Sequence, residues 1–262
     1  MHTSNETLRR LERLHVRAWP ASETARIDAW LWRWSGGGSQ RANSLSTVDF
    51  SGNDMAAALD EVEARYRAKD SLSRVHTFDL SQPAGLPALL IARGYKAGET
   101  TLTMLATAPP VQTSPGTSPG TSPGPPVAPA FDVEITDDPP VEWLNVYLEA
   151  ITESRRAVNQ RILRRIPDPR AFFLVRRGGR AISTALAVVD GGHAVAGCVA
   201  TREAARGQRA ADSAMRALMA WVASLGAHTV GLQVVEQNQP AIALYRRLGF
   251  RAVGTNRFWV KP

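Results

Sequence analysis

Cysteine is almost absent: Cys198 is the only one in 262 residues. That excludes an internal disulfide and any thiolate metal cluster, and it fits a reducing, cytoplasmic compartment. Long apolar runs are missing too. The opening stretch MHTSNETLRRLERLHVRAWP carries charges every few residues. It offers neither the apolar core of an export signal nor the roughly 20 apolar residues of a membrane span, so neither export nor membrane anchoring is expected. Lysine is scarce: only Lys69, Lys96 and Lys261 occur, and the rest of the 31 basic residues are arginines. The net charge of +7 points to a polyanionic partner or, equally well, to a general arginine bias. No metal is expected.

What the chain does have is 44% apolar residues, enough for packed cores, and a length that favours two domains. Residues 109–130 read PPVQTSPGTSPGTSPGPPVAPA, with TSPG three times in succession and no charge. Proline and glycine this dense continue neither a helix nor a ladder, so the segment is expected to be an extended linker between residues 1–108 and 131–262. The first half has a net charge of +1 and the second +6.

The second half alternates strand and helix patterns. FDVEIT alternates like a strand, VEWLNVYLEA and ESRRAVNQRILRRI read as helices, and AFFLVRR, RAISTALAVVD and HAVAGCVA read as strands joined by the glycine turns RGGR and DGGH. A helix is expected from about 210 to 225, with Ala211, Met215, Leu218, Val222 and Leu225 as one buried stripe. HTVGLQVVE is a strand, QPAIALYRRLG a helix, and FRAVGTNRFWV a last strand or hairpin.

The loop EAARGQRAAD joins one of these strands directly to a helix. Such a junction presents unpaired backbone amides at the positive end of the helix dipole, where phosphate oxygens bind well. Arg206 and Arg209 add charge, and Gly207 permits close approach. An ordinary turn with solvated arginines is the competing reading of this stretch alone.

The string TREAARGQRAADSAM, followed by NQPAIALYRRLGF, resembles the two signature segments of the GNAT superfamily of acyl-CoA-dependent N-acyltransferases: Gln/Arg-x-x-Gly-x-Gly/Ala, then Asn-x-x-Ala-x-x-x-Tyr-x-x-x-Gly-Phe. The likeness covers essentially all of 131–262. It implies that Arg206 and the amides of Gly207, Gln208, Arg209, Ala210 and Ala211 hold the pyrophosphate of acetyl-CoA, with the backbone of Val199 and Thr201 pairing with the pantetheine arm. One position departs from the pattern: Arg209 stands where the family usually has the first glycine. Read as a right-handed helical turn, the position needs no glycine and loses only room, so the arginine either crowds the pyrophosphate or grips it from outside.

In the family a tyrosine at the place of Tyr245 protonates the departing thiolate, a task suited to a phenol. A core tyrosine is the competing reading. Asn238 is expected to cap the same helix and to contact the cofactor. The amine needs a proton acceptor, and the strand glutamate many relatives carry is missing from HAVAGCVA. His193, which starts that strand, is the candidate base, with Glu203 and Glu236 as alternatives. Cys198 reads as a small buried thiol.

Residues 82–104, QPAGLPALLIARGYKAGETTLTM, echo 239–260, QPAIALYRRLGFRAVGTNRFWV. Four residues before the glycine stands Tyr245 in the second copy and Leu90 in the first. The first copy also lacks a phosphate loop, so the first half reads as a degenerate duplicate. IDAWLWRWSGGGSQRANSL resembles a signature of bacterial two-lobed GNAT proteins. Its SGGGSQR joins two strands and reads as a hairpin turn. Trp30, Trp32 and Trp34 alternate on one face, as core or as a pocket wall.

The expected fold is therefore α/β (α+β), with two GNAT-like lobes, each a mixed, mainly antiparallel sheet flanked by helices. The expected activity is transfer of acetyl from acetyl-CoA to a primary amine of a small molecule or peptide, by a monomer or homodimer. A catalytically silent acyl-CoA-binding regulatory module is the alternative. Nucleic-acid binding through the arginines of ESRRAVNQRILRRI is disfavoured, because they spread around the helix without an aromatic platform.

Overall fold

A computed structural model describes residues 4–109 and 131–262; apart from Pro109, the expected linker lies outside the described residues. In chain order the first part contains α1 (Asn5–Arg17), β1 (Glu23–Ile27), β2 (Trp30–Trp34), β3 (Leu45–Ser46), α2 (Met55–Arg67), β4 (Ser73–Phe78), α3 (Leu86–Ala92) and β5 (Lys96–Thr107). The second contains β6 (Asp132–Thr136), α4 (Val141–Glu149), α5 (Glu153–Leu163), β7 (Arg170–Arg177), β8 (Arg180–Asp190), β9 (His193–Thr201), α6 (Ala210–Ser224), β10 (Thr229–Val235), α7 (Gln239–Arg247) and β11 (Arg251–Lys261). The element order read from residues 131–262 is the one observed, with the last segment a single strand.

Two compact units share these elements without following chain order. The first unit takes the described residues of Met1–Ala106, together with Ile151–Asp168 and Gly231–Pro262; the second takes those of Thr107–Ala150 and Pro169–Val230.

In the first unit the strand order is β1-β2-β3-β4-β11-β5-β10. The tryptophan strand lies in its core: Trp30, Trp32, Leu59, Val62, Tyr66, Val75, Leu86, Leu90 and Trp259 form one buried cluster, with Trp34 packed against it. The alternation of the three tryptophans thus serves packing. SGGGSQR leads from β2 into antiparallel β3, Leu31 facing Ser46, and Asn43 holds the turn by accepting from Ser35 N and Gly37 N. Helix α5 packs Val158 and Ile162 against Ala42, Trp19 and Ala21. Its Arg155, Arg156 and Arg161 are exposed, and Arg155 Nε donates to Gly38 O at 3.0 Å.

The two echoing segments lie side by side in this unit. Helices α3 and α7 end alike: Gly94 and Gly249 adopt φ of 81° and 87°, where only glycine is unstrained. Tyr95 N then donates to Leu90 O, and Phe250 N to Tyr245 O, each at 3.0 Å. The strands that follow, β5 and β11, pair antiparallel, with Leu105 facing Arg251 and Lys96 facing Val260. The offset relating Gly94 to Gly249 also relates Lys96 to Arg251 and Leu105 to Val260, so the pairing has local two-fold symmetry about Thr101 and Asn256, which face each other. Register shifts fall at matching places near both ends.

In the second unit the strand order is β9-β8-β7-β6, antiparallel throughout. Trp143 of α4 meets Phe172 edge to face at 5.1 Å and donates from Nε1 to Ala185 O. Helix α6 buries Ala210, Ala214, Met215, Leu218, Met219, Val222 and Ala223. The expected stripe is corrected at both ends: Ala211 is half-buried, and Leu225, just past the helix, is 46% exposed.

Candidate functional site

Strand β9 ends at Thr201, a short 3₁₀ turn covers Glu203–Ala205, and α6 begins at Ala210. Between them Arg206 is extended, Gly207 has φ 74°, and Arg209 has φ 66° and ψ 14°. Arg209 is thus left-handed, which corrects the right-handed reading of that position. Glycine there would supply conformation and not merely room. The first bond into the helix runs from Ser213 N to Arg209 O at 3.1 Å. Among the described residues, the amides of residues 207–212 donate to no protein acceptor. Gly207, Gln208, Arg209, Ala210 and Ala211 therefore present a run of open donors at a helix N-terminus, the chemistry a diphosphate requires.

Side chains shape this loop. Gln208 Nε2 donates to Ala204 O at 2.9 Å, and its Oε1 accepts from Arg177 Nη1 on β7. Asp212, three residues into α6, is buried; its Oδ2 accepts from Arg216 Nε at 2.7 Å and lies 3.6 Å from Arg209 Nη2. Its Oδ1 has no partner.

The preceding strand breaks its ladder a few residues before its end. Leu186 pairs with Gly197 and Thr184 with Ala200, so Cys198 and Val199 face a single residue of β8. Cys198 has φ 51°, and its carbonyl accepts from buried Thr184 Oγ1 at 2.9 Å. A bulge of this kind re-aims backbone groups. Gly197, Cys198, Val199 and Thr201 are partly exposed, as is His193 at the start of the strand, while the other residues of β9 are buried. Cys198 is thus half-buried, not the fully buried thiol expected.

Tyr245 lies in the first unit on α7, 7% exposed, with its ring 5.9 Å from that of Phe250. Burial pushes its phenol up to about 12, so it holds its proton at neutral pH. Asn238 caps this helix, its Oδ1 accepting from Ala241 N at 3.3 Å. In the second unit His193 starts β9, at the end of the strand away from the loop. Its Nδ1 bonds Thr229 Oγ1 at 2.6 Å and its ring lies 5.2 Å from His228. Glu203 and Glu236 are exposed.

Other ionisable groups are buried in the first unit. Glu12 on α1 accepts from Thr103 Oγ1 at 3.2 Å and from Gln233 Nε2 at 3.0 and 3.1 Å. Gln233 Oε1 in turn accepts from Arg41 Nη2 at 2.7 Å. Asn256 Nδ2 donates to Thr103 Oγ1, and its Oδ1 meets His76 Nε2. Burial raises the Glu12 carboxyl to about 7, against the pull of Arg41, and lowers His76 to about 4. His15, one turn on from Glu12, is held well below its usual value by burial.

The family model described as probable histone acetyltransferase Rv0428c C-terminal matches residues 3–259. The chain belongs to this family. A curated relative, the uncharacterized N-acetyltransferase YobR of Bacillus subtilis (strain 168), is 26% identical over 261 residues, covering 98% of this chain and 99% of its own. Among solved structures, a GCN5-related N-acetyltransferase from Kribbella flavida matches at TM-score 0.71 and 16% identity, over 97% of this chain and 95% of that one. A tandem GNAT protein from the clavulanic acid biosynthesis pathway matches at TM-score 0.62 and 14% identity, over 81% and 72%. At these identities the structural likeness is one of fold. Together with the family match, it identifies the chain as an N-acetyltransferase of the GNAT type.

Sequence reasoning singled out the loop and Tyr245 and passed over Asp212, Arg216 and Arg177, whose side chains make the contacts around the loop. The spacing of Arg209, Asp212 and Arg216, three and four apart, was the available signal. Glu12 had none, since its burial depends on strands remote in sequence. Among the described residues no helix is long and apolar enough to cross a membrane, and no three His, Cys, Asp or Glu side chains are disposed to hold a metal.

Proposed function

We propose that this GNAT enzyme uses acetyl-CoA and transfers its acetyl group directly to a primary amine of a small molecule or peptide in the cytoplasm. The observation that carries the reading is the run of open amides at residues 207–211, bent by left-handed Gly207 and Arg209 onto the start of α6. Arg206 adds charge beside them. Val199 and Thr201, on the partly exposed stretch of β9, would pair with the pantetheine arm, and Asn238 would contact the cofactor. The amine nitrogen attacks the thioester carbonyl, the carbon–sulfur bond breaks, and the leaving thiolate takes the proton of Tyr245. His193 is the candidate that β9 offers for the proton lost by the amine. The first half is a degenerate lobe of the same origin, with Leu90 at the place of Tyr245; the matched helix ends and two-fold strand pairing support this.

Calorimetry with acetyl-CoA, followed by thiol release in the presence of amino acids, polyamines, aminoglycosides and lysine-rich peptides, tests the reading. The family description places histone-type peptides in that panel. Tight binding with no turnover on any amine would favour a silent acyl-CoA-binding module, to which the non-glycine Arg209 and the missing strand glutamate also point.

A further inference from the structure

Arg209 occupies a left-handed position at the mouth of the cofactor loop, a conformation that disfavours any residue with a side chain. Its side chain is 72% exposed and faces Asp212 Oδ2 at 3.6 Å. Arg216, 60% exposed, takes the same oxygen through Nε at 2.7 Å. Asp212 itself is only 5% exposed, and its Oδ1 has no partner. A buried carboxylate at a helix N-terminus would repel an anion unless neutralised. Here two arginines neutralise it, and their net charge leaves the cluster cationic. Arg216 lies six residues past Ala210, roughly 9 Å along the helix, beyond the amides that suit a diphosphate.

We propose that Arg209 and Arg216, both anchored on Asp212, clamp the 3′-phosphate of the coenzyme and so select coenzyme A over dephospho-coenzyme A. The inference rests on acetyl-CoA being the cosubstrate. Asp212 is a positioning residue in this arrangement and touches no phosphate. The clamp also accounts for the arginine at a position where glycine would be unstrained.

Calorimetry with coenzyme A and with dephospho-coenzyme A, on the full chain at low and moderate salt, tests it. Wild type should prefer coenzyme A by about 10-fold or more, the scale of a charge-assisted phosphate contact. Arg216→Gln should lose most of that preference by weakening coenzyme A while leaving dephospho-coenzyme A unchanged. Unchanged dephospho-coenzyme A affinity in Arg216→Gln also shows that the fold survives, with Asp212 still facing Arg209 at 3.6 Å. Asp212→Asn should weaken coenzyme A; tighter binding would mean that Asp212 only repels the ligand, and would overturn its positioning role. Equal affinity of wild type for both ligands would sink the clamp and leave the acetyltransferase reading intact. No binding of either ligand would end both.

Discussion

Glu12→Gln measures what a buried carboxylate costs this fold. Burial lifts the Glu12 carboxyl from 4.5 to about 7, aided by the charge of Asp79 and opposed by Arg41, Thr103 and Gln233. The folded chain therefore holds this proton more tightly than the unfolded chain, and stability falls as pH rises from 4.5 through 7. Each pH step of one between those two values removes about 1.4 kcal/mol, so the loss reaches about 3 kcal/mol by pH 8. Histidines act in the opposite direction. His76 is lowered from 6.5 to about 4, and His15 also lies well below 6.5, so each gains a proton more readily in the unfolded chain. Their contribution is lost as pH drops below 6.5, which places the wild-type optimum between about pH 6.5 and 7. Glutamine keeps the size of the carboxyl and cannot ionise. Wild type and Glu12→Gln should therefore differ by less than about 1 kcal/mol at pH 5, and the variant should lead by about 3 kcal/mol at pH 8. Thermal unfolding followed by circular dichroism at pH 5, 6, 7 and 8, at constant salt, would show the gap as roughly 6–12 °C. A gap that stays flat or closes as pH rises would refute the reasoning. It would mean that the hydrogen bonds from Thr103 and Gln233 outweigh burial and keep Glu12 ionised throughout.

Acetyl-CoA should bind at one site per chain, since the first copy has no loop like that of residues 206–211; calorimetry showing two equal sites would contradict the degenerate lobe. Gly207→Val should weaken coenzyme binding at least 10-fold, because a β-branched residue resists φ 74°; no neighbour lies within 4 Å of the added Cβ, so strain and not collision is responsible. Arg209→Gly should keep or raise the melting temperature, because a left-handed side-chain residue costs about 1 kcal/mol, while buried Asp212 keeps its shorter pair with Arg216 at 2.7 Å. Tyr245→Phe should leave coenzyme affinity and folding unchanged and lower kcat by about 10²- to 10⁴-fold, with a smaller loss for a thioester whose leaving thiol is more acidic. An unchanged kcat, with chemistry rate-limiting, would make Tyr245 a packing residue.

Local chemistry made the second half legible from its sequence. The period-two strands, the glycine turns and the cap at Asn238 depend on neighbouring residues, and each appeared where it was read. The loop at 206–211 was visible for the same reason: a strand, a glycine among arginines and a helix are adjacent in the chain. The left-handed state of Arg209 was not visible, because the backbone there answers to how β9 hands over to α6 and not to the preference of arginine. Tertiary structure also decided where chain-distant segments meet. Strands β5 and β11 are far apart in the chain and pair antiparallel, and the sequence records the echo of the two segments without their register. The same holds for Glu12: as one residue of a charged helix it looks solvated, and only β5, β10 and the turn carrying Arg41 bury it and bring its proton into the neutral range. Burial is a property of the assembled sheet, so no single stretch of sequence could have disclosed it.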